Sequence, residues 1–188
     1  FIKQYYLKQL CENNYDVLGR IKENIMDINS RYLLVISKSE TSDFLFSTVL
    51  SEINKDYNFC VGSQFDKDHY SEEYSLKIMN KIKLHIEEGK ILILKNLESY
   101  YPSLYDLFDQ NFSQIENGKY VHIDIGATTN TLSLVNNEFR CIVSVNYEQI
   151  DEEEPLLLNR FEKHIVSLDN LLSDDLKKES ILIFNKLK

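Results

Sequence analysis

Glycine and proline are scarce in this 188-residue chain, at 5 and 2 residues, which excludes collagen-like and linker-like sequence. Cysteine is scarce too: Cys11, Cys60 and Cys141 stand far apart, odd in number and without a CxxC pair. A disulfide framework or a cysteine-based zinc site does not fit that pattern. The three thiols read as small buried apolar groups, and the compartment as reducing, hence cytoplasmic. No apolar run approaches the ~20 residues needed to span a bilayer. Positive charge is in deficit: Lys and Arg total 21 against 30 Asp and Glu, a formal net charge of −9. The chain therefore lacks the electrostatic footprint of a nucleic-acid coat and has no polybasic segment for an anionic membrane. The opening FIKQYYLKQLCENNYD is neither a signal peptide nor an initiator-methionine context, and reads as part of something longer.

What is present is ordinary globular composition, 43% hydrophobic and 27% charged, in a length that suits one domain. Short continuous apolar runs alternate with helical periods. The runs RYLLVIS (Arg31–Ser37), NFCVG (Asn58–Gly62), KILIL (Lys90–Leu94), FRCIVSV (Phe139–Val145) and Ile165–Leu168 read as strands buried on both faces. Between them, helices are expected in residues 1–28, over Phe44–Ile53, over Ser71–Glu88 and over Leu104–Phe112. The third of these has Ser71 as N-cap, acidic Glu72 and Glu73 behind it, and Gly89 at the C′ position. Leu156–Phe161 reads as a short helix or turn, and residues 169–188 as helical. Tyr120–Ile125 alternates and is expected to pair with Thr131–Val135 as a hairpin insertion. The whole predicts an α/β fold with a five-stranded parallel sheet between helices. Residues 1–28 form a helical lead-in, 29–170 the α/β unit, and 171–188 the start of a helical C-terminal part.

Ligands of parallel α/β sheets sit at the carboxyl ends of the strands. A nucleotide-binding protein places GxxxxGK[ST] after the first strand, so that backbone N–H groups wrap phosphate and a lysine meets its far end. Here that segment is Ser37-Lys38-Ser39-Glu40-Thr41-Ser42-Asp43, without glycine. Side chains obstruct a tight wrap, Glu40 and Asp43 repel an anion, and Lys38 alone is a weak substitute.

The segment ILILKNLESYYPSLYDLFDQNF resembles the Walker B strand and following helix of AAA+ ATPases, in the form seen in midasin-like and dynein-like rings. The resemblance implies a P-loop-NTPase-like fold. It places an Mg²⁺-holding Asp and a water-polarising Glu at the strand end, where this chain has Lys95 and Asn96. Lysine does not ligate Mg²⁺ and asparagine does not take a proton from water. Glu98 follows two positions on and is expected to be displaced from the site. NNEFRCIVSVN resembles the fourth AAA+ strand, with Asn146 at the sensor position. PLLLNRFEKHIVSL resembles the segment carrying the arginine finger, with Arg160 at the finger position, acting on a neighbouring module's nucleotide. Across Arg31–Ser173, the runs VGSQFDKD, NLESYYPSLYDLFDQ and LLNRFEKH are similar to an AAA+ module of the mysterin family of giant RING-finger ubiquitin ligases.

That likeness implies a catalytically silent module within an AAA+ ring. It binds no nucleotide or metal of its own, while ATP and Mg²⁺ sit in neighbouring modules. Its partners are adjacent modules of the same polypeptide, not nucleic acid or membrane. The residues leave two alternatives open: an atypical ATP hydrolase using Lys38 and Lys95 on phosphate and Glu98 on water, or a plain protein-binding α/β domain. Arg160 also has a structural alternative, pairing with Glu162 or the acidic run at Glu152–Glu154, and Asn146 has one as a strand-end turn residue. Asp66, Asp68 and His69 lack a further His or Cys nearby to complete a metal site. His85, His122 and His164 read as surface or internally satisfied. Ser63 and Ser103 lack a G-x-S-x-G context. Tyr100 and Tyr101 lie either at a contact between modules or at the core edge.

Overall fold

The computed structural model describes residues 16–37, 41–69, 71–116, 118–125, 129–150 and 154–167, together with 175, 177–179 and 182–183. Helix α1 (Val17–Met26) leads into β1 (Leu33–Ser37), α2 (Thr41–Ile53), β2 (Tyr57–Val61), the single turn α3 (Asp66–His69) and the long α4 (Glu72–Glu88). Next come β3 (Ile91–Lys95), a 3₁₀ stretch (Glu98–Leu104), the short α5 (Tyr105–Phe108), and the strands β4 (Ser113–Ile115), β5 (Gly118–Ile125) and β6 (Thr129–Val135). The chain closes with β7 (Arg140–Asn146), α6 (Pro155–Leu158) and β8 (Glu162–Val166).

Five strands form one sheet in the order β2-β3-β7-β1-β8, and every adjacent pair is parallel. Alternate residues serve opposite faces, as the pleat requires. Leu34, Ile36, Leu92, Leu94, Val143 and Val145 pack under α4, the 3₁₀ stretch and β5. Leu33, Val35, Ile91, Ile93 and Ile142 pack under α1 and α2. Both faces are therefore covered, which is why these strands read as continuous apolar runs. Helix α1 contributes Val17, Ile21 and Ile25 to the second core.

The ends of α4 match the sequence reading: Ser71 Oγ accepts from Tyr74 N, and Gly89 takes the left-handed conformation at φ 75°. Several boundaries differ. The helix expected over Leu104–Phe112 is a single α-helical turn, Tyr105–Phe108, preceded by a 3₁₀ stretch that ends at Leu104. Pro102 has no N–H to give an α-helical ladder, and Gln110 at φ 55° ends the turn. The expected hairpin exists, and β4 joins it as a third antiparallel strand that its polar sequence did not reveal. The last strand begins three residues before the expected Ile165, at Glu162; it is an edge strand that opens with three consecutive polar residues, Glu162, Lys163 and His164, which carry no apolar signal. Residues 1–15, most of 168–188 and the acidic residues 151–153 lie outside the described residues.

One side chain ties the lower edge of the sheet together. Arg140, at the start of β7, is only 2% exposed. Its guanidinium donates to Ser30 O at 2.9 Å, Arg31 O at 3.0 Å, Asn24 O at 3.1 Å and Asn24 Oδ1 at 2.8 Å. It also lies 5.2 Å from the centre of the Tyr32 ring. Asn24 in turn donates to Glu162 Oε2 at 2.7 Å, so α1, β1, β7 and β8 share one network. Burial pushes the Arg140 pKa down from its ordinary value, and the carbonyl acceptors supply what water would otherwise give.

Candidate functional site

Because all five strands run the same way, Ser37, Val61, Lys95, Asn146 and Val166 stand together at one end of the sheet. A cavity of about 470 Å³ opens there, walled by Ser37, Ser63, Lys95, Glu98, Ser144 and Asn146 among others. A second cavity of about 310 Å³, with Tyr101, Tyr105, Glu154 and Leu157 in its wall, adjoins it through the shared residues Glu98 and Gln149.

Lys95 ends β3 and reaches into the first cavity. Its Nζ donates to both carboxylate oxygens of Asp43, each at 3.1 Å. Asp43 lies in the first turn of α2, the helix that follows β1. Counting GxxxxGK onto Ser37–Asp43 puts Asp43 where the lysine of that motif stands. Lys95 stands where the resemblance expects a carboxylate. The two elements have exchanged charges, and the exchanged charges meet each other. Lys38, the other cation suggested for this site, lies outside the described residues.

The corner after β3 is tightly built. Asn96 sits at φ 55°, a left-handed conformation that asparagine tolerates better than most residues. The backbone of Gly62, just past β2, presses against it: a Cβ added at Gly62 would lie 1.7 Å from the Asn96 carbonyl oxygen. Gly62 N donates to Lys95 O at 2.9 Å and locks that approach. Next to it, Ser63 Oγ donates to Asp68 Oδ2 at 2.5 Å and accepts from Phe65 N at 3.1 Å, shaping the loop VGSQFDKD. Asn146 Oδ1 accepts from Glu148 N at 3.0 Å, so its side chain builds the turn after β7 while also bordering the cavity. Glu98 is not displaced, contrary to expectation. The 3₁₀ stretch begins at Glu98 and turns it back to border both cavities.

Arg160 lies apart from the first cavity, beyond α6. Its guanidinium pairs with Asp109 and sits 4.0 Å from the centre of the Tyr105 ring, with Nε buried and without a partner. The structural pairing weighed in the sequence named Glu162 or the acidic run. Glu162 instead accepts from Asn24 and meets His164 at 2.8 Å. Tyr100 and Tyr101 are buried in the core, not presented at a surface. Cys60 and Cys141 are free and buried, and burial pushes both thiols up, as inert core groups. His85 is buried rather than on the surface, with Nδ1 3.4 Å from Glu88 Oε2 and Nε2 without a partner.

Sequence reasoning named Lys95, Asn96, Asn146 and Glu98, and the structure gathers these four around one cavity. It missed Gly62 and the meeting of Asp43 with Lys95. The signal for Gly62 was a lone glycine directly after a buried strand. The signal for the ion pair was a lysine ending one strand and an aspartate seven positions into the segment that begins at Ser37.

A parallel five-stranded sheet covered by helices on both faces, with its crevice at the carboxyl end, is the architecture of a P-loop-NTPase-like AAA+ domain. A family model for the RNF213 AAA domain matches residues 22–172, and the chain belongs to that family. Over 177 residues it is 30% identical to the E3 ubiquitin-protein ligase RNF213 of Homo sapiens, covering 86% of this chain and 3% of that protein. The Mus musculus protein of the same name is 31% identical over 146 residues, 76% of this chain and 3% of the relative. The E3 ubiquitin-protein ligase rnf213-beta of Danio rerio is 29% identical over 198 residues, 97% of this chain and 4% of the relative. The chain thus spans only about 3% of the length of the first curated relatives it matches. Among the described residues no helix is long and apolar enough to cross a membrane.

Proposed function

We propose that this chain is a nucleotide-non-hydrolysing AAA+ module that acts as a structural and regulatory unit among other modules of a mysterin-like, RNF213-type ubiquitin ligase in the cytoplasm. The Asp43–Lys95 ion pair carries the reading. Mg·ATP needs a cation facing its phosphates and a carboxylate facing its metal. At the two corresponding positions this chain presents a carboxylate and a cation, already neutralising each other. Ser37 and Ser42, 2% and 1% exposed, stand at the two glycine positions of the phosphate-wrapping motif and put side chains where backbone N–H groups must converge. These residues do not fit Mg·ATP, so ATP and Mg²⁺ belong to neighbouring modules and ligase chemistry to other parts of the parent. The test is calorimetry of this chain with Mg·ATP: no heat of binding at millimolar ligand is expected. Micromolar binding overturns the proposal in favour of an atypical ATPase using Lys95 and Glu98.

Within the same proposal, Arg160 serves a neighbouring module's ATP by exchanging Asp109 for phosphate. The stacking on Tyr105 favours a second role, a clasp holding α6 to α5. Turnover by the full parent separates the two. A finger loses about 10³-fold or more on Arg160→Ala while Asp109→Asn keeps turnover. A clasp makes both substitutions equally mild for turnover and similarly destabilising.

A further inference from the structure

The first cavity contains groups that its own neighbours leave unused. Ser37 and Ser144 are 2% and 5% exposed, both border the cavity, and neither hydroxyl has a hydrogen-bond partner among the described residues. Their side chains are almost wholly enclosed while the oxygens open onto the cavity, so they offer a polar ligand two unused hydroxyls. The sign of that ligand follows from the remaining charges. Lys95 has its charge paired with Asp43, to which it gives two of its three N–H donors. Glu98 stands exposed where the two cavities join and has no ion-pair partner among the described residues. Glu154 borders the second cavity, accepts from Tyr105 Oη at 3.0 Å and has no ion-pair partner among the described residues. Among the described residues the charges of the groove therefore sum to a negative value. The Tyr105 ring already carries the Arg160 guanidinium, so a cation beside this aromatic is a contact the fold itself makes.

We infer that the two joined cavities form a docking groove for a basic peptide segment. An arginine or lysine side chain pairs with Glu98, its N–H donors reach the Ser37 and Ser144 hydroxyls, and the adjoining backbone crosses toward Glu154. The inference rests on the proposed absence of nucleotide from the same crevice and adds what occupies it instead. Such a site would couple this module to a basic strand of a partner protein by charge complementarity, with strong salt dependence.

The experiment is fluorescence anisotropy of this chain with a fluorescein-labelled nonapeptide of three Gly-Ser-Arg repeats, against the same peptide with glutamate for arginine. Saturable binding of the arginine peptide at low salt is expected, with none for the glutamate peptide. Glu98→Gln and Ser144→Ala should each weaken binding about fivefold. Glu138→Gln removes the same charge at the opposite end of the strands, just before β7, where Glu138 pairs with Lys55, and should leave binding unchanged. Circular dichroism of each variant confirms its fold. Equal weakening by Glu138→Gln, or equal affinity for the two peptides, overturns the inference as mere attraction to an acidic protein. Those outcomes leave the calorimetric test of nucleotide binding untouched, whereas micromolar Mg·ATP binding removes both readings together.

Discussion

Removing either partner of the Asp43–Lys95 pair should cost as much as removing both. The Coulomb attraction at 3.1 Å is about 5 kcal/mol at an effective dielectric of ~20. The side chains are 24% and 48% exposed, so solvent screening and the ordering of two long side chains reduce the net gain to about 1 kcal/mol. Asp43→Asn strands the Lys95 ammonium in a cavity whose remaining walls are largely hydroxyl and amide. Lys95→Met strands the Asp43 carboxylate in the same way. Each single variant should therefore lose about 1 kcal/mol, and the double variant about the same, giving a coupling energy near 1 kcal/mol. The assay is urea denaturation followed by circular dichroism, with all four corners of the cycle measured at low salt and again at high salt. The exchange Asp43→Lys with Lys95→Asp should restore stability to within about 0.5 kcal/mol, because it rebuilds the pair in reverse. It also returns lysine and aspartate to the positions that nucleotide-binding relatives of this fold use. Serines still replace the motif's glycines, so the exchanged variant should still bind no Mg·ATP at millimolar ligand. Strictly additive single losses, or a coupling energy indistinguishable from zero, would refute the claim that the pair organises the crevice. Micromolar nucleotide binding by the exchanged variant would refute the part assigned to the missing glycines.

Gly62→Ala drives a methyl group into the Asn96 carbonyl, backbone against backbone, and should cost about 3 kcal/mol in a thermal or urea melt. Arg140→Met removes the guanidinium donor from Asn24 O and Asn24 Oδ1, leaves Ser30 O with Gln110 alone and Arg31 O with Asn24 Nδ2 alone, and should cost about 2–3 kcal/mol. Arg140→Lys should recover only part of that, since an ammonium does not span the same acceptors. Lys90 and His85 hold the Glu88 carboxyl below its ordinary 4.5, and Asn29 N–H and the Ser30 hydroxyl hold Asp27 below its ordinary 3.8. Both folded pKa values are depressed, so the stability they add is complete above about pH 5 and drains away as pH falls through the folded values. Urea midpoints should be flat from pH 7 to 5 and decline below, and Asp27→Asn should shallow that decline.

The fold was legible because burial on both faces writes itself into sequence. LLVI and ILIL have no polar interruption, and a strand covered on both faces hides every residue of so short a run. Helix α4 was legible through its ends, where Ser71 and Gly89 each satisfy a local rule that needs no tertiary knowledge. β4 was not legible, because Ser113, Gln114 and Ile115 are all exposed and owe their extended form to the neighbour Gly118–Tyr120. The candidate site divides along the same line. Lys95, Asn96 and Asn146 could be named because each ends a strand, and strand ends face the crevice by construction. Arg140 begins a strand inside an apolar run, and nothing local in the sequence gives its role. Its purpose depends on carbonyls from residues 24, 30 and 31, which approach it only in the folded chain. Asp43 has the same character: taken alone it is an acidic residue in the first turn of a helix, favourable to the dipole and repellent to an anion. Only the parallel register, which brings the end of β3 beside the start of α2, turns it into the counter-ion that decides what the crevice accepts. Charge identity at a site was therefore readable in the sequence, but charge balance was not. Balance is what determines whether such a crevice receives an anion or a cation.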